Sequence, residues 1–190
     1  MANAVHASSP DLPKPSRFLL HGFGKYTRWK LRGAFHAVRV AGVERLRDLG
    51  SRPLVVYCNH PSWWDPLVCL RLHQHFFLGR PAYAPIEASA LERYGFFRKL
   101  GFFGVEPGTR GARTFLRVAG EALADPTTCL WLTPEGTLVD PRTRPLNFQP
   151  GLSHLARRCP DAWFLPLAVE YPFAYDRQPE MTAQWGTPLA

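Results

Sequence analysis

Short, uninterrupted apolar runs recur along this chain and constrain its fold more than any other feature. The clearest are PLVVYCN at residues 53–59, CLWL at residues 129–132 and WFLPLAVEY at residues 163–171. Runs of this length without alternation are typical of strands that are buried on both faces of a sheet. Between them lie stretches with helical periodicity, such as ARTFLRVAGEALAD at residues 112–125. Strands that alternate with helices predict one α/β domain, with a mixed, largely parallel sheet flanked by helices.

The remaining elements are predicted from shorter patterns. Further strands are predicted at residues 36–46 (HAVRVAGVERL), 82–88 (AYAPIEA) and 101–107 (GFFGVEP). Further helices are predicted at about residues 64–75, 91–100 and 151–160. The run at residues 163–171 is the last predicted strand, and the chain ends shortly after it at residue 190.

The N-terminal part of the chain divides into two segments before the domain begins. Residues 1–15 are small, polar and proline-bearing, which predicts a flexible tail. Residues 16–35 (SRFLLHGFGKYTRWKLRGAF) repeat apolar and aromatic residues at helical spacing, with Lys25, Arg28 and Arg32 beside them. Aromatic rings among basic groups are typical of a helix lying in a membrane interface. We therefore predict a membrane-interfacial helical segment at 16–35, although a helix packed on the domain's own core would show the same spacing.

The net charge and the cysteine content limit which binding partners and which cellular compartment are expected. The net charge of +8 attracts polyanions, which are either nucleic acid or an anionic membrane surface. Because no RRM, KH, zinc-finger or helix-turn-helix pattern is present, nucleic acid is not expected to be a partner. The four cysteines show no C-x-x-C spacing, which predicts reduced thiols, and no apolar run reaches the ~20 residues of a membrane-spanning helix. Without a secretory signal pattern, the chain is expected to be cytoplasmic and peripheral on the inner face of the cell membrane.

The stretch NHPSWWD, residues 59–65, places a histidine and an aspartate at the end of a buried strand. A histidine has an ordinary pKa near ~6.5, which suits a general base, and a carboxylate can orient its ring. His60 and Asp65 are therefore the predicted catalytic residues. Cys58 leaves a covalent route open. A metal site that adds His73 and His75 is disfavoured, because residues two positions apart on a helix point in different directions.

Together with two later blocks, this motif resembles the PlsC-like glycerolipid acyltransferase family. The family's His-x-x-x-x-Asp block corresponds to His60 and Asp65, and its Pro-Glu-Gly-Thr block corresponds to residues 134–137. A short apolar strand with a proline, here at residues 165–169, matches its last block. The resemblance spans about residues 36–187 and identifies 36–190 as an acyltransferase domain. It further implies that Glu135, Gly136 and Thr137 bind the acceptor.

The resemblance also implies the substrates of the reaction. The donor is expected to be acyl-CoA or acyl-ACP as a co-substrate, and the acceptor to be a membrane lipid such as a lysophospholipid. No cofactor and no metal are implied. Trp63 and Trp64 are interpreted as packing residues.

Two departures from the family pattern concern the acceptor. Arginines thought to hold the acceptor's phosphate are replaced by Pro107 and Leu138. Arg110 and Arg113 are candidate replacements, as are two arginines of a later loop, Arg142 and Arg144. Without such replacements, the alternatives are an acyltransferase for a non-phosphate lipid alcohol or a catalytically inactive lipid-binding relative.

Overall fold

The computed structural model describes residues 12–190 as a seven-stranded sheet with helices on both faces. The strands are β1 (Val38–Ala41), β2 (Leu54–Cys58), β3 (Ala82–Glu87), β4 (Phe102–Val105), β5 (Cys129–Leu132), β6 (Trp163–Glu170) and β7 (Met181–Trp185). The helices are α1 (Arg17–Ala34), α2 (Asp65–Phe76), α3 (Ala88–Arg93), α4 (Gly108–Leu123) and α5 (Gly151–Arg158). Short 3-10 helices span Val43–Leu46 and Gly95–Leu100.

The strand order is β1-β7-β6-β2-β5-β3-β4, with β2 at the centre. Every strand pair is parallel except β6 with β7, which is antiparallel. The predicted α/β domain with a mixed, largely parallel sheet is therefore confirmed. Because the central parallel strands run the same way, the loops that follow β2, β3, β4 and β5 all emerge at one edge of the sheet, the carboxyl edge.

Two apolar clusters fill the space on either side of the sheet. One packs α1 and α2 against the sheet and includes Leu31, Val68 and Leu167. The other packs α4 and α5 against the opposite face and includes Val118 and Leu155. In β2, residues 54–56 have no exposed surface, which is why this strand reads as an uninterrupted apolar run.

Two predicted elements are shorter than expected, and one strand was missed. The strand predicted at 36–46 ends at Ala41, because Gly42 adopts a left-handed conformation (φ 74°) and a 3-10 turn follows. The prediction of a single helix at 91–100 is wrong, because α3 ends at Arg93 and a separate 3-10 helix spans Gly95–Leu100. The prediction that β6 is the last strand is also wrong, since β7 follows with buried side chains at alternate positions, Met181 and Trp185 among them.

The helix predicted within residues 16–35 is α1. Ser16 caps it by accepting a hydrogen bond from the backbone N–H of Leu19 at 3.4 Å. Within the described residues, no helix combines the length and the apolar character needed to cross a membrane. Of the tail predicted at 1–15, residues 1–11 lie outside the described part, while Leu12 packs against the α4–α5 side of the core and Pro13 is buried.

Candidate active site

The loop after β2 carries the predicted catalytic pair and is anchored to the neighbouring strand. Asn59 leaves the end of β2, and its side-chain amide both donates to and accepts from the backbone of Val169 on β6, at 2.9 and 2.8 Å. The loop then passes through His60 and enters α2 at Asp65, with a proline in the first helical turn. A proline is favourable there, because that N–H has no partner within the helix.

His60 and Asp65 are in direct contact. The ring Nδ1 of His60 lies 2.6 Å from Oδ2 of Asp65, which also accepts a hydrogen bond from the backbone N–H of Ser62 at 3.1 Å. Asp65 is the first residue of α2 and its side chain is almost fully buried, whereas the side chain of His60 is 22% exposed. This contact fixes the ring orientation and places the proton on Nδ1, so that Nε2 is left to act on a substrate.

A residue that the sequence did not single out completes the contacts of Asp65. The hydroxyl of Tyr171 donates a hydrogen bond to Oδ1 of Asp65 at 2.5 Å. Burial and the neighbouring carboxylate raise the pKa of Tyr171, so the phenol stays protonated and remains a donor. Tyr171 directly follows β6, and only the strand order of the folded protein brings the end of β6 beside the end of β2.

Glu135 contacts the backbone of His60. Its Oε2 accepts a hydrogen bond from the backbone N–H of His60 at 2.7 Å, and Glu135 is buried. On the other side, the carbonyl of His60 accepts from the backbone N–H of Val139 at 2.9 Å. The N–H of Gly136 donates to the carbonyl of Thr133 within the turn, where φ of Gly136 is 73°, and Thr137 is exposed. The loop after β5 thus holds the loop after β2 on two sides.

A cavity of about 700 Å³ extends from the His60–Asp65 pair between α2 and the sheet. Apolar side chains of α2 and β3, such as Leu67, Leu70 and Ile86, line it. His73 also lines it, and because it lies eight positions after Asp65 on α2, the cavity reaches ~12 Å along that helix.

The cavity lining contains carboxylates and, besides them, the two histidines His60 and His73. Asp65, Glu87 and Glu106 contribute to its lining, and within residues 12–190 neither lysine nor arginine does. Pro107, at the position of the family's arginine, lies on the wall of this cavity.

The candidate arginines lie elsewhere. Arg110 and Arg113 are exposed on the first turns of α4 and are not among the lining residues. Arg142 pairs with Asp140 at 2.9 Å, and Arg144 donates to two carbonyls of its own loop. The structure therefore does not bring these four arginines together with His60.

The geometry does not favour a covalent route through Cys58 or a metal site that includes His73. Cys58 lines the cavity, but its thiol is buried, 3.9 Å from the sulfur of Cys69 and 3.7 Å from the carbonyl of Leu132. Nε2 of His73 bonds to the carbonyl of Arg80 at 2.9 Å, and its Nδ1 accepts from the indole of Trp131 at 3.2 Å. No group of three potential metal ligands occurs in the described part of the chain.

The two tryptophans of the motif differ in their surroundings. Trp64 packs edge-on against Phe35 at 5.3 Å, as expected of a packing residue. Trp63 stacks on Trp64 at 4.1 Å but is 65% exposed, so it covers its neighbour rather than filling the core.

Comparison with known proteins places this geometry in a family. The profile of the family described as Acyltransferase matches residues 37–170. Among solved structures, the chain resembles the crystal structure of the 1-acyl-sn-glycerophosphate (LPA) acyltransferase PlsC from Thermotoga maritima, with a TM-score of 0.61. Sequence identity is 18%, over 91% of this chain and 69% of that chain, so this likeness shows a shared fold. No curated protein sequence gives a significant match. Since the family profile covers most of the chain, the protein belongs to the acyltransferase family and is an acyltransferase built on the PlsC fold.

Proposed function

We propose that this acyltransferase moves a fatty acyl group from an acyl thioester, carried by CoA or by acyl carrier protein, to the hydroxyl of a lysolipid or related lipid. The observation that carries the proposal is the 2.6 Å contact between His60 and Asp65 at one end of an apolar cavity. A base oriented by a carboxylate beside an apolar channel is suited to activating a lipid hydroxyl.

The proposed reaction needs no covalent intermediate with the protein. Nε2 of His60 takes the proton of the acceptor hydroxyl as its oxygen attacks the thioester carbonyl, and Asp65 stabilises the imidazolium that forms. The carbon–sulfur bond then breaks, and the imidazolium returns the proton to the leaving thiolate. An ester and a free thiol are the products, and His60 is neutral again.

The acyl chain is proposed to occupy the cavity. Its walls are mostly apolar, and its extent of ~12 Å along α2 accommodates a substantial part of a fatty acyl chain. Burying each methylene there is favourable by roughly 0.8 kcal/mol. Thr133 and Gly136 line the cavity together with His60, so we propose that the loop after β5, which includes Glu135 and Thr137, forms the acceptor side.

One observation favours an acceptor without a terminal phosphate. The Thermotoga maritima protein is described as acting on 1-acyl-sn-glycerophosphate, whose phosphomonoester requires cations. In this chain Pro107 lines the cavity and Arg110 and Arg113 do not. The second candidate function is therefore acylation of a lipid alcohol that lacks a phosphomonoester.

The acceptor is proposed to reach the site from an anionic membrane surface. Phe18 is 89% and Trp29 66% exposed on α1, with Lys25, Arg28 and Arg32 exposed around them. Aromatic rings that enter the interface beside basic groups that meet anionic lipids are typical of peripheral binding. Phe23 of the same helix lines the cavity, which connects the proposed membrane face to the site.

Free-thiol release from acyl-CoA and acyl-ACP tests the proposal. The wild type, His60→Ala and the control His75→Ala, an exposed histidine of α2, are each offered lysophosphatidate and, separately, monoacylglycerol. We expect acceptor-dependent release that His60→Ala abolishes and His75→Ala retains, with monoacylglycerol preferred. Preference for lysophosphatidate would overturn the second candidate, and equal activity in His60→Ala would overturn the mechanism.

A further inference from the structure

Asp65 uses its two carboxylate oxygens for different partners. Oδ2 faces Nδ1 of His60 and the backbone N–H of Ser62, whereas Oδ1 accepts the hydrogen bond from the hydroxyl of Tyr171. Because Asp65 is only 1% exposed, water has little access to these oxygens. The hydroxyl of Tyr171 therefore replaces the solvent that would otherwise stabilise the charge on Oδ1.

The ring of Tyr171 is held in place by aromatic neighbours. It stacks on Phe35 with ring centroids 5.4 Å apart and planes inclined by 26°. Phe35 follows α1 and is itself buried, and it packs edge-on against Trp64. Trp64 directly precedes Asp65, so these rings fix the hydroxyl and the start of α2 relative to each other.

We propose that Tyr171 is a positioning residue, which sets both the orientation and the basicity of the His60–Asp65 pair through its hydrogen bond to Oδ1 of Asp65. This inference rests on the proposed function, in which His60 is the base. Tyr171 does not itself touch the reacting atoms in this scheme. It acts on them through Asp65.

The other titratable groups around the His60–Asp65 pair form their contacts with partners other than Asp65. Cys58 and Cys69 contact each other, and that hydrogen bond together with burial raises the pKa of Cys69, so its thiol stays uncharged. Glu135 bonds to the backbone N–H of His60 rather than to Asp65. In the adjoining loops, the exposed side chains of His36 and Asp176 face each other, with Nδ1 and Oδ2 3.4 Å apart.

Removing the hydroxyl changes the protonation of His60 in a predictable direction. Without the donor on Oδ1, the negative charge of Asp65 is less well compensated and attracts the imidazolium of His60 more strongly. A larger fraction of His60 is then protonated at a given pH and cannot act as a base. The acid limb of the activity profile therefore moves to higher pH.

The test compares Tyr171→Phe with Tyr57→Phe, a half-buried tyrosine of β2 whose ring packs edge-on against Phe148. For Tyr171→Phe we expect kcat/KM at the pH optimum to fall about tenfold, with KM changed less than about twofold. The acid limb is expected to move upward by about half a pH unit or more. Tyr57→Phe should leave the profile unchanged.

Two further measurements distinguish a positioning role of Tyr171 from a purely structural role. Phe35→Leu retains the hydroxyl but loosens the ring, so a smaller shift in the same direction is expected. If Tyr171→Phe lowers the unfolding temperature but leaves the acid limb in place, Tyr171 is only structural and the inference is overturned. If His60→Ala remains active, the proposed function has failed instead, whatever the result for Tyr171.

Discussion

The carboxylate of Glu135 accepts a hydrogen bond from the backbone N–H of His60 at 2.7 Å and is buried in doing so. Glu135 follows β5 and His60 follows β2, and these two strands are neighbours in the sheet. A residue expected from the family resemblance to bind the acceptor thus contacts the backbone of the proposed base. The two roles predict different kinetics.

We predict that Glu135→Ala lowers kcat about tenfold or more while the KM for the acceptor changes less than about twofold. The backbone N–H of His60 would lose its partner, and the ring would no longer be held against Asp65. Glu135→Gln keeps an oxygen acceptor and should retain most of the activity. Steady-state kinetics with varied acceptor check this, and a raised acceptor KM at unchanged kcat would assign Glu135 to acceptor binding.

A second prediction concerns the cavity. Ala84 of β3 lines it, so Ala84→Leu should shorten the space for the acyl chain. Because each excluded methylene forfeits roughly 0.8 kcal/mol, the ratio of kcat/KM for long-chain to medium-chain donors should fall about fourfold per methylene. The matched control is Ala168→Leu, on an exposed position of β6. An unchanged ratio in Ala84→Leu would place the acyl chain elsewhere.

Local patterns explain why much of the fold and the proposed catalytic pair were predictable. The buried runs at β2 and β5 identify strands without knowledge of their neighbours, since parallel strands covered on both faces are apolar throughout. His60 and Asp65 are joined by a single strand-to-helix turn, so their contact depends on few residues.

Other features depend on the order of the strands, which the sequence does not reveal. Tyr171 is 106 positions from Asp65, and their contact exists because β6 lies beside β2. β7 lies between β6, which directly precedes it and pairs with it antiparallel, and β1, which is distant in sequence and pairs with it in parallel; its alternating run was missed. The placement of Arg110 and Arg113 on the exposed face of α4 likewise follows from how that helix packs on the sheet.

A third prediction follows from the buried His73. Burial lowers the pKa of His73 from 6.5 to about 4, so the folded protein holds it neutral where the unfolded chain binds a proton. Its contribution to the free energy of unfolding is therefore complete above pH 6.5 and is lost as pH falls from there towards 4. Between pH 8 and pH 5 this loss amounts to about 2 kcal/mol.

Urea unfolding of the wild type, His73→Gln and His75→Gln at these two pH values checks this. His73→Gln should lose about 2 kcal/mol less stability than the wild type on acidification. His75 is exposed, so His75→Gln should behave like the wild type. Equal pH dependence in all three proteins would contradict a neutral, buried His73.

The last prediction concerns the membrane face of α1. Removing the exposed rings in Phe18→Ser/Trp29→Ser should weaken binding to vesicles that contain anionic lipid by about tenfold or more, since the rings no longer enter the interface. The matched control removes two other exposed aromatic rings, in Phe173→Ser/Tyr175→Ser. Vesicle sedimentation measures the binding, and added salt should weaken it because the basic residues of α1 are screened.

Activity on acceptor dispersed in detergent should stay the same in both double variants, since none of these residues lines the cavity. Equal loss of vesicle binding in the two variants would mean that any exposed aromatic pair contributes, and that α1 is not the docking face.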